Sequence, residues 1–131
     1  MTDKEAITAL LARYAEALNE SDTESVMKLY TEDGVFMPQH FPSSVGADAV
    51  RHAYDAVFHA IRLTVKFHIE EVEPVSPEWA FARTSSAGSV SIHATGQSSA
   101  EANQELFVLQ KVEGDWKIAR YCFSTTNQPR A

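Results

Sequence analysis

The apolar residues change their period once along the chain, near residue 62, and no other feature limits the fold as strongly. Before that point they recur at spacings of three and four, and after it they alternate. Ile7, Leu10, Leu11, Tyr14 and Leu18 form one stripe of a helix over about Asp3–Leu18. Thr2 with Glu5 matches a capping box at its start, and Ser21 with Glu24 matches a second. The second box opens a short helix running to Tyr30. Asp33-Gly34 signals a turn, Val35-Phe36-Met37 is a short apolar run halted by Pro38, and residues 38–46 read as a loop. A third helix is expected over about Ala47–Ile61, with Val50, Tyr54, Val57, Phe58 and Ile61 on one face.

From Leu63 onward Leu63, Val65, Phe67 and Ile69 alternate with polar residues. The phase slips at Glu70-Glu71, where a β-bulge is expected before Val72. Pro74 and Pro77 bracket a turn. A long strand follows from Trp79 to about Thr95, kinked near Gly88. Residues 96–102 read as a loop, Asn103–Val112 as a strand, Glu113-Gly114-Asp115 as a tight turn, and Trp116–Ser124 as the antiparallel return. Three N-terminal helices followed by a meander of long strands predict an α+β fold, with the helices packed on a strongly bent antiparallel sheet. Residues 1–131 are expected to form one such domain, a size that buries roughly two-thirds of the unfolded surface.

Charge narrows the function. Eleven Lys and Arg against eighteen Asp and Glu give a net charge of −7, which opposes a nucleic-acid partner because phosphate binding needs a basic face. No apolar run approaches the ~18 residues of a membrane span, so no membrane partner is expected. The opening MTDKEA has no apolar stretch of a signal peptide, and the single Cys122 makes no internal disulfide. These features together predict a cytoplasmic protein. No GxGxxG, P-loop, HxH or HExxH pattern occurs, so no cofactor and no metal site are expected.

Two segments carry a family likeness. YAEALNESDTESVMKLYTEDGVFMP and the closing NQELFVLQKVEGDWKIARYCFSTT resemble the nuclear transport factor 2-like superfamily in its SnoaL-like branch, nearest the small SgcJ/EcaC-type proteins. The likeness spans about residues 3–126. It implies a cone-shaped half-barrel of the cystatin-like kind, open at one end, with a largely apolar pocket. It also implies a homodimer through the outer sheet face, where Ser85, Ser89, Ser91 and His93 offer small side chains. This superfold hosts isomerases, dehydratases, hydrolases, cyclases and binders, so the likeness alone selects no activity.

The residues weigh those activities unequally. The resemblance places Met37 where ketosteroid isomerases carry an aspartate base, and methionine accepts no proton. Tyr14 resembles their oxyanion-donating tyrosine, although its place on the apolar stripe fits a core residue better. His40 sits in the loop beside the expected pocket mouth. His52 and His59, two turns apart on the third helix, form no recognisable pair with a carboxylate. Alternation along the strands groups Asn103, Glu105 and Phe107 on one face, and Trp116, Ile118 and Arg120 on another. If both faces point inward, Glu105 and Arg120 meet in the cavity and Arg83 joins them. That cluster is either a structural ion pair or a recognition site for a polar or anionic head group. Glu105 and His40 are then the proton-carrying candidates, with Arg83, Arg120, Asn103 and Met37 contacting ligand. Tyr14, Tyr30, Tyr54, Phe58, Trp79 and Phe107 complete the expected wall, with Phe36 and Tyr121 or Phe123 beside them.

Two readings remain at this level. One is a cofactor-independent isomerase, cyclase or dehydratase acting on a small hydrophobic oxygenated molecule. The other is a non-catalytic dimeric binding or interaction module.

Overall fold

A computed structural model describes residues 1–129. Helix α1, Asp3–Asn19, buries Ile7, Leu10, Leu11, Tyr14 and Leu18, the stripe its spacing predicts. The Thr2 hydroxyl accepts from the Glu5 N–H while the Glu5 carboxylate accepts from the Thr2 N–H, so the expected capping box closes. Helix α2 covers only Thr23–Met27, and its cap is Asp22 rather than Ser21, with the Asp22 carboxylate accepting from both the N–H and the hydroxyl of Ser25. It ends early because the chain is taken into the sheet: Ile118 donates its N–H to the Leu29 carbonyl, and β1, Tyr30–Met37, begins at the next residue. Asp33-Gly34 therefore falls inside a strand, where the register slips between Tyr30 and Val35. β2, Ser44–Val45, occupies part of the expected loop and pairs with β1. Helix α3, Ala47–Ala60, buries Val50, Tyr54 and Phe58.

Four long strands follow: β3 Ile61–Pro74, β4 Trp79–Ile92, β5 Ser98–Val112 and β6 Asp115–Thr125. β5 starts five residues earlier than alternation suggests, because Ser98–Ala102 pair with Ala87–Ser91 despite their polar, loop-like composition. The six strands lie in the order β2-β1-β6-β5-β4-β3. All neighbours are antiparallel except β1 and β6, which are parallel, so the sheet is mixed rather than wholly antiparallel.

Two bulges shape this sheet. The expected one falls between Ile69 and Glu71 and returns Val72 to the inner face. The second lies in β6: Leu109 pairs with Ile118 but Val108 pairs with Arg120, leaving Ala119 as the extra residue. At Gly88, β3 comes so near that a Cβ would stand 1.9 Å from the Thr64 carbonyl oxygen, which is the close approach behind the expected kink. β3 is an edge strand, and α1 closes part of that edge. The Asn19 amide donates to the Val65 carbonyl at 2.9 Å and its carbonyl accepts the Val65 N–H at 2.8 Å. No helix among the described residues is long and apolar enough to cross a membrane.

Candidate functional site

The helices cover only part of the concave face of the sheet. What remains is a cavity of about 800 Å³, opening between α3 and the loop after β1. Its walls are mainly carbon. Leu63, Val65 and Phe67 come from β3, Ala53, Val57 and Ala60 from α3, and Phe36, Tyr121 and Phe123 from β1 and β6. Phe36 stacks between Tyr54 at 4.5 Å and Tyr121 at 5.8 Å, measured between ring centres, giving a flat aromatic wall.

Into this wall β5 presents Glu105, only 5% exposed. The β4–β5 register sets Thr84 opposite Glu105, and both flanking inward hydroxyls of β4 donate to the carboxylate. Thr84 Oγ1 reaches Oε1 at 2.5 Å, and Ser86 Oγ reaches Oε2 at 2.6 Å. Burial raises the carboxyl above its usual range, and the two hydroxyls, Ser86 more than Thr84, pull it partly back.

The second polar element is a chain of phenols. Tyr30 and Tyr14 each hydrogen-bond the Tyr54 hydroxyl, both at 2.7 Å. Burial raises all three phenols far from ionisation, and the nearby Glu105 charge adds to the rise at Tyr14. Three hydroxyls carry three protons, and two internal bonds use two of them. Tyr14 and Tyr54 border the cavity while Tyr30 lies behind them. Tyr121, a fourth phenol raised by burial, adjoins Tyr14 and also borders the cavity, so a chain run from Tyr30 through Tyr54 to Tyr14 ends at the paired Tyr14 and Tyr121 hydroxyls with one proton left for an oxygen in the cavity.

The structure brings together Glu105, Asn103, Tyr14 and Tyr54 on the cavity surface, but not the other expected site residues. The Ala119 bulge reverses the face of β6, so Tyr121 and Phe123 point inward and Arg120 outward. Arg120 donates to the carbonyls of Asp33 and Ala119 instead. Arg83 alternates with the inward Ala82 and Thr84, faces outward, and pairs with Glu71 at 2.6 Å. The expected cationic cluster around Glu105 does not form, and among the described residues no Lys or Arg borders the cavity. Trp79 likewise lies outside, 40% exposed, because its neighbour Ala80 takes the inward position. Met37 is 44% exposed because Phe36 beside it faces in. His40 turns to solvent at a left-handed φ of 70° and meets only Gln39. Tyr30, Phe58 and Phe107 are core residues behind the wall. Cys122 is half-buried on the outer face, opposite Leu106.

Thr84 and Ser86 went unrecognised in sequence because nothing but the β4–β5 register sets them beside Glu105. His52, which pairs with no carboxylate in the sequence, lies on the cavity lining. Among the described residues no three His, Cys, Asp or Glu side chains converge on a point that could hold a metal ion. A second hollow, about 740 Å³, lies between α1 and the β5–β6 turn. Of the carboxylates lining it, Asp3 is already engaged by Trp116 and Lys111.

A family model for the SnoaL-like domain matches residues 1–121. The chain belongs to the SnoaL-like family. The structure of a ketosteroid isomerase-like protein from Erwinia carotovora atroseptica superposes on this SnoaL-like domain with a TM-score of 0.93 at 35% identity, covering 98% of this chain and 100% of that one. A conserved protein from Planctomyces limnophilus gives 0.82 at 22% identity, covering 94% and 97%. A protein with a cystatin-like fold from Caulobacter vibrioides gives 0.78 at 20% identity, covering 95% and 89%. The last two show the likeness of fold alone. No curated protein matches the chain in sequence.

Proposed function

We propose that this SnoaL-like domain is a cofactor-independent proton-transfer enzyme acting on a hydrophobic, oxygen-bearing compound by isomerisation, cyclisation or dehydration. One observation carries the reading: a carboxyl buried in an aromatic cavity, beside a chain of phenols with a proton to donate. Burial raises the Glu105 carboxyl toward neutral pH, where a carboxylate is a stronger base than in water. Glu105 would take a proton from carbon next to the ligand's carbonyl. The negative charge arising on that oxygen would be met by the Tyr14 hydroxyl, backed by Tyr54 and Tyr30. The proton on Glu105 then returns to another carbon, or to a departing hydroxyl that leaves as water. The ketosteroid isomerase-like relative supports this class of chemistry. Of the polar or anionic head group expected from sequence, the neutral polar alternative is the one retained, since Arg83 and Arg120 lie outside.

Proposed with this reading are a cytoplasmic location and a homodimer through the outer sheet face. Ser85, Ser89 and Ser91 there keep the surface low, and Leu106 is 40% exposed.

A second reading, a ligand-binding module without turnover, draws on the same carboxylate. Both Glu105 oxygens already accept hydroxyl protons from β4, an arrangement that also suits a structural group. A Glu105→Gln variant separates the two when assayed with the parent against a panel of oxygenated aromatics. Turnover by the parent that falls at least a hundredfold in the variant is the expected result. Equal turnover in both removes Glu105 from the mechanism, and ligand binding by a parent that turns over none of the panel establishes the binder.

A further inference from the structure

The inner face of β5 does not stop at Glu105. By alternation Asn103 and Glu101 follow it toward the mouth, each about 7 Å further out, and both border the cavity. Neither side chain makes a hydrogen bond to the protein among the described residues, whereas Glu105 makes two. Across from them stand Ala53, Val57 and Ala60 of α3 and Leu63 and Val65 of β3, which offer no polar atom. The cavity thus has one polar rail on β5 facing an apolar wall, with Gln39, Ser43, Ser44 and His52 also on its lining. The ionisable members of the rail are Glu105 and Glu101, both acidic, and His52 of α3 also lines the cavity.

We propose that Asn103 and Glu101 form an outer subsite that reads a second hydroxyl or amine at the far end of the ligand, and that the cavity rejects carboxylates there. The inference rests on the reading of Glu105 and Tyr14 as the inner end of the ligand site. An amide presents both donors and an acceptor, while a carboxylate only accepts. A hydroxyl or amine on the ligand satisfies both groups. A ligand carboxylate satisfies the Asn103 amide alone and faces Glu101 with like charge. The substrate class is therefore a flat hydrophobic molecule with oxygen at its inner end and a hydrogen-bond donor at its outer end.

The test measures calorimetric binding of 2-naphthol, 2,6-dihydroxynaphthalene and 6-hydroxy-2-naphthoate to the intact chain. The dihydroxy compound is expected to bind roughly three- to tenfold tighter than 2-naphthol, the worth of one added buried hydrogen bond. The carboxylate is expected to bind at least tenfold more weakly than 2-naphthol. Asn103→Ala should abolish the gain from the second hydroxyl, and Glu101→Gln should lift most of the penalty on the carboxylate. Both positions are half-exposed on the strand, so thermal unfolding should show both variants folded. A carboxylate that binds as well as 2-naphthol, or a second hydroxyl that adds nothing, overturns the subsite. If 2-naphthol binds in a manner weakened by Tyr14→Phe but the outer substituents make no difference, the subsite fails and the inner site stands. If none of the three binds, both fall together.

Discussion

Tyr54→Phe removes the middle hydroxyl of the phenol chain, and the geometry sets its cost apart from that of either neighbour. The change deletes two hydrogen bonds of 2.7 Å and strands the Tyr30 hydroxyl, which has no path to the cavity. Tyr14 borders the cavity and can turn to water there. Two bonds at about 1 kcal/mol net each, plus an unpaired buried phenol at roughly 1–3 kcal/mol, give a loss of about 3–4 kcal/mol when partial relaxation is allowed. Tyr30→Phe deletes one bond and leaves Tyr54 bonded to Tyr14, so about 1 kcal/mol is expected. Urea unfolding followed by tryptophan fluorescence resolves that difference, and a melting curve should place Tyr54→Phe on the order of 10 °C below the parent. The ring itself remains in the T-shaped and stacked contacts with Tyr14 and Phe36, so packing is a minor part of the loss. If Tyr54→Phe proves no more destabilising than Tyr30→Phe, the three hydroxyls are not a chain, and Tyr14 loses its claim to be a polarised donor.

The buried carboxyl and the close strand approach each carry a further expectation. Glu105 is held above its usual pKa by burial, so the folded state keeps its proton longer than the unfolded chain does. Its stabilising share is fully present below about pH 4.5, the ordinary glutamate value, and drains as pH rises through the higher folded value. The difference in unfolding free energy between Glu105→Gln and the parent should therefore grow in favour of the variant from pH 4.5 upward, and a flat difference would mean the carboxyl is not desolvated. Gly88→Ala pushes a methyl into the Thr64 carbonyl, which is backbone and has little room to yield. It should cost about 1–3 kcal/mol by thermal unfolding, and a neutral result would mean that β3 and β4 do not approach so closely.

What could be read in the sequence was whatever depends on phase within one element. The α1 stripe is unbroken over about three turns, and the spacing of three from Ile69 to Val72 betrays the first bulge. The same spacing, Ile118 to Tyr121, marks the second. It stayed hidden because Ala119 is small enough to suit either face and because strict alternation put Arg120 where a partner for Glu105 was wanted. The phenol chain lies on three separate elements. Each tyrosine is legible as inward-facing, but their meeting depends on how α1, β1 and α3 pack. The parallel pairing of β1 with β6 joins residues more than eighty positions apart and leaves no local signal. Thr84 and Ser86 sit in a serine-rich stretch whose alternation is nearly featureless, so only the β4–β5 register distinguishes the inward hydroxyls from the outward ones.

The Ala119 bulge also decides the sign of charge inside the molecule. With Arg120 carried to the outside and Arg83 tied to Glu71, the acidic groups bordering the cavity among the described residues are Glu101 and Glu105, and no Lys or Arg among them offsets the two. A carboxylate brought to about 4 Å from an ionised Glu105 meets a repulsion of about 4 kcal/mol at the effective dielectric of a partly screened site, near a thousandfold in affinity. An anionic ligand escapes that penalty only by leaving Glu105 protonated, and the proton must then come from solvent. Burial has already raised the carboxyl part of the way, so such binding would take up close to one proton and weaken as pH rises. A neutral ligand needs no such uptake, and it alone leaves Glu105 ionised and able to act as a base. The exclusion of anions proposed for this cavity thus rests on two turns of phase: the extra residue in β6 that carries Arg120 outward, and the alternation of β4 that carries Arg83 outward to Glu71.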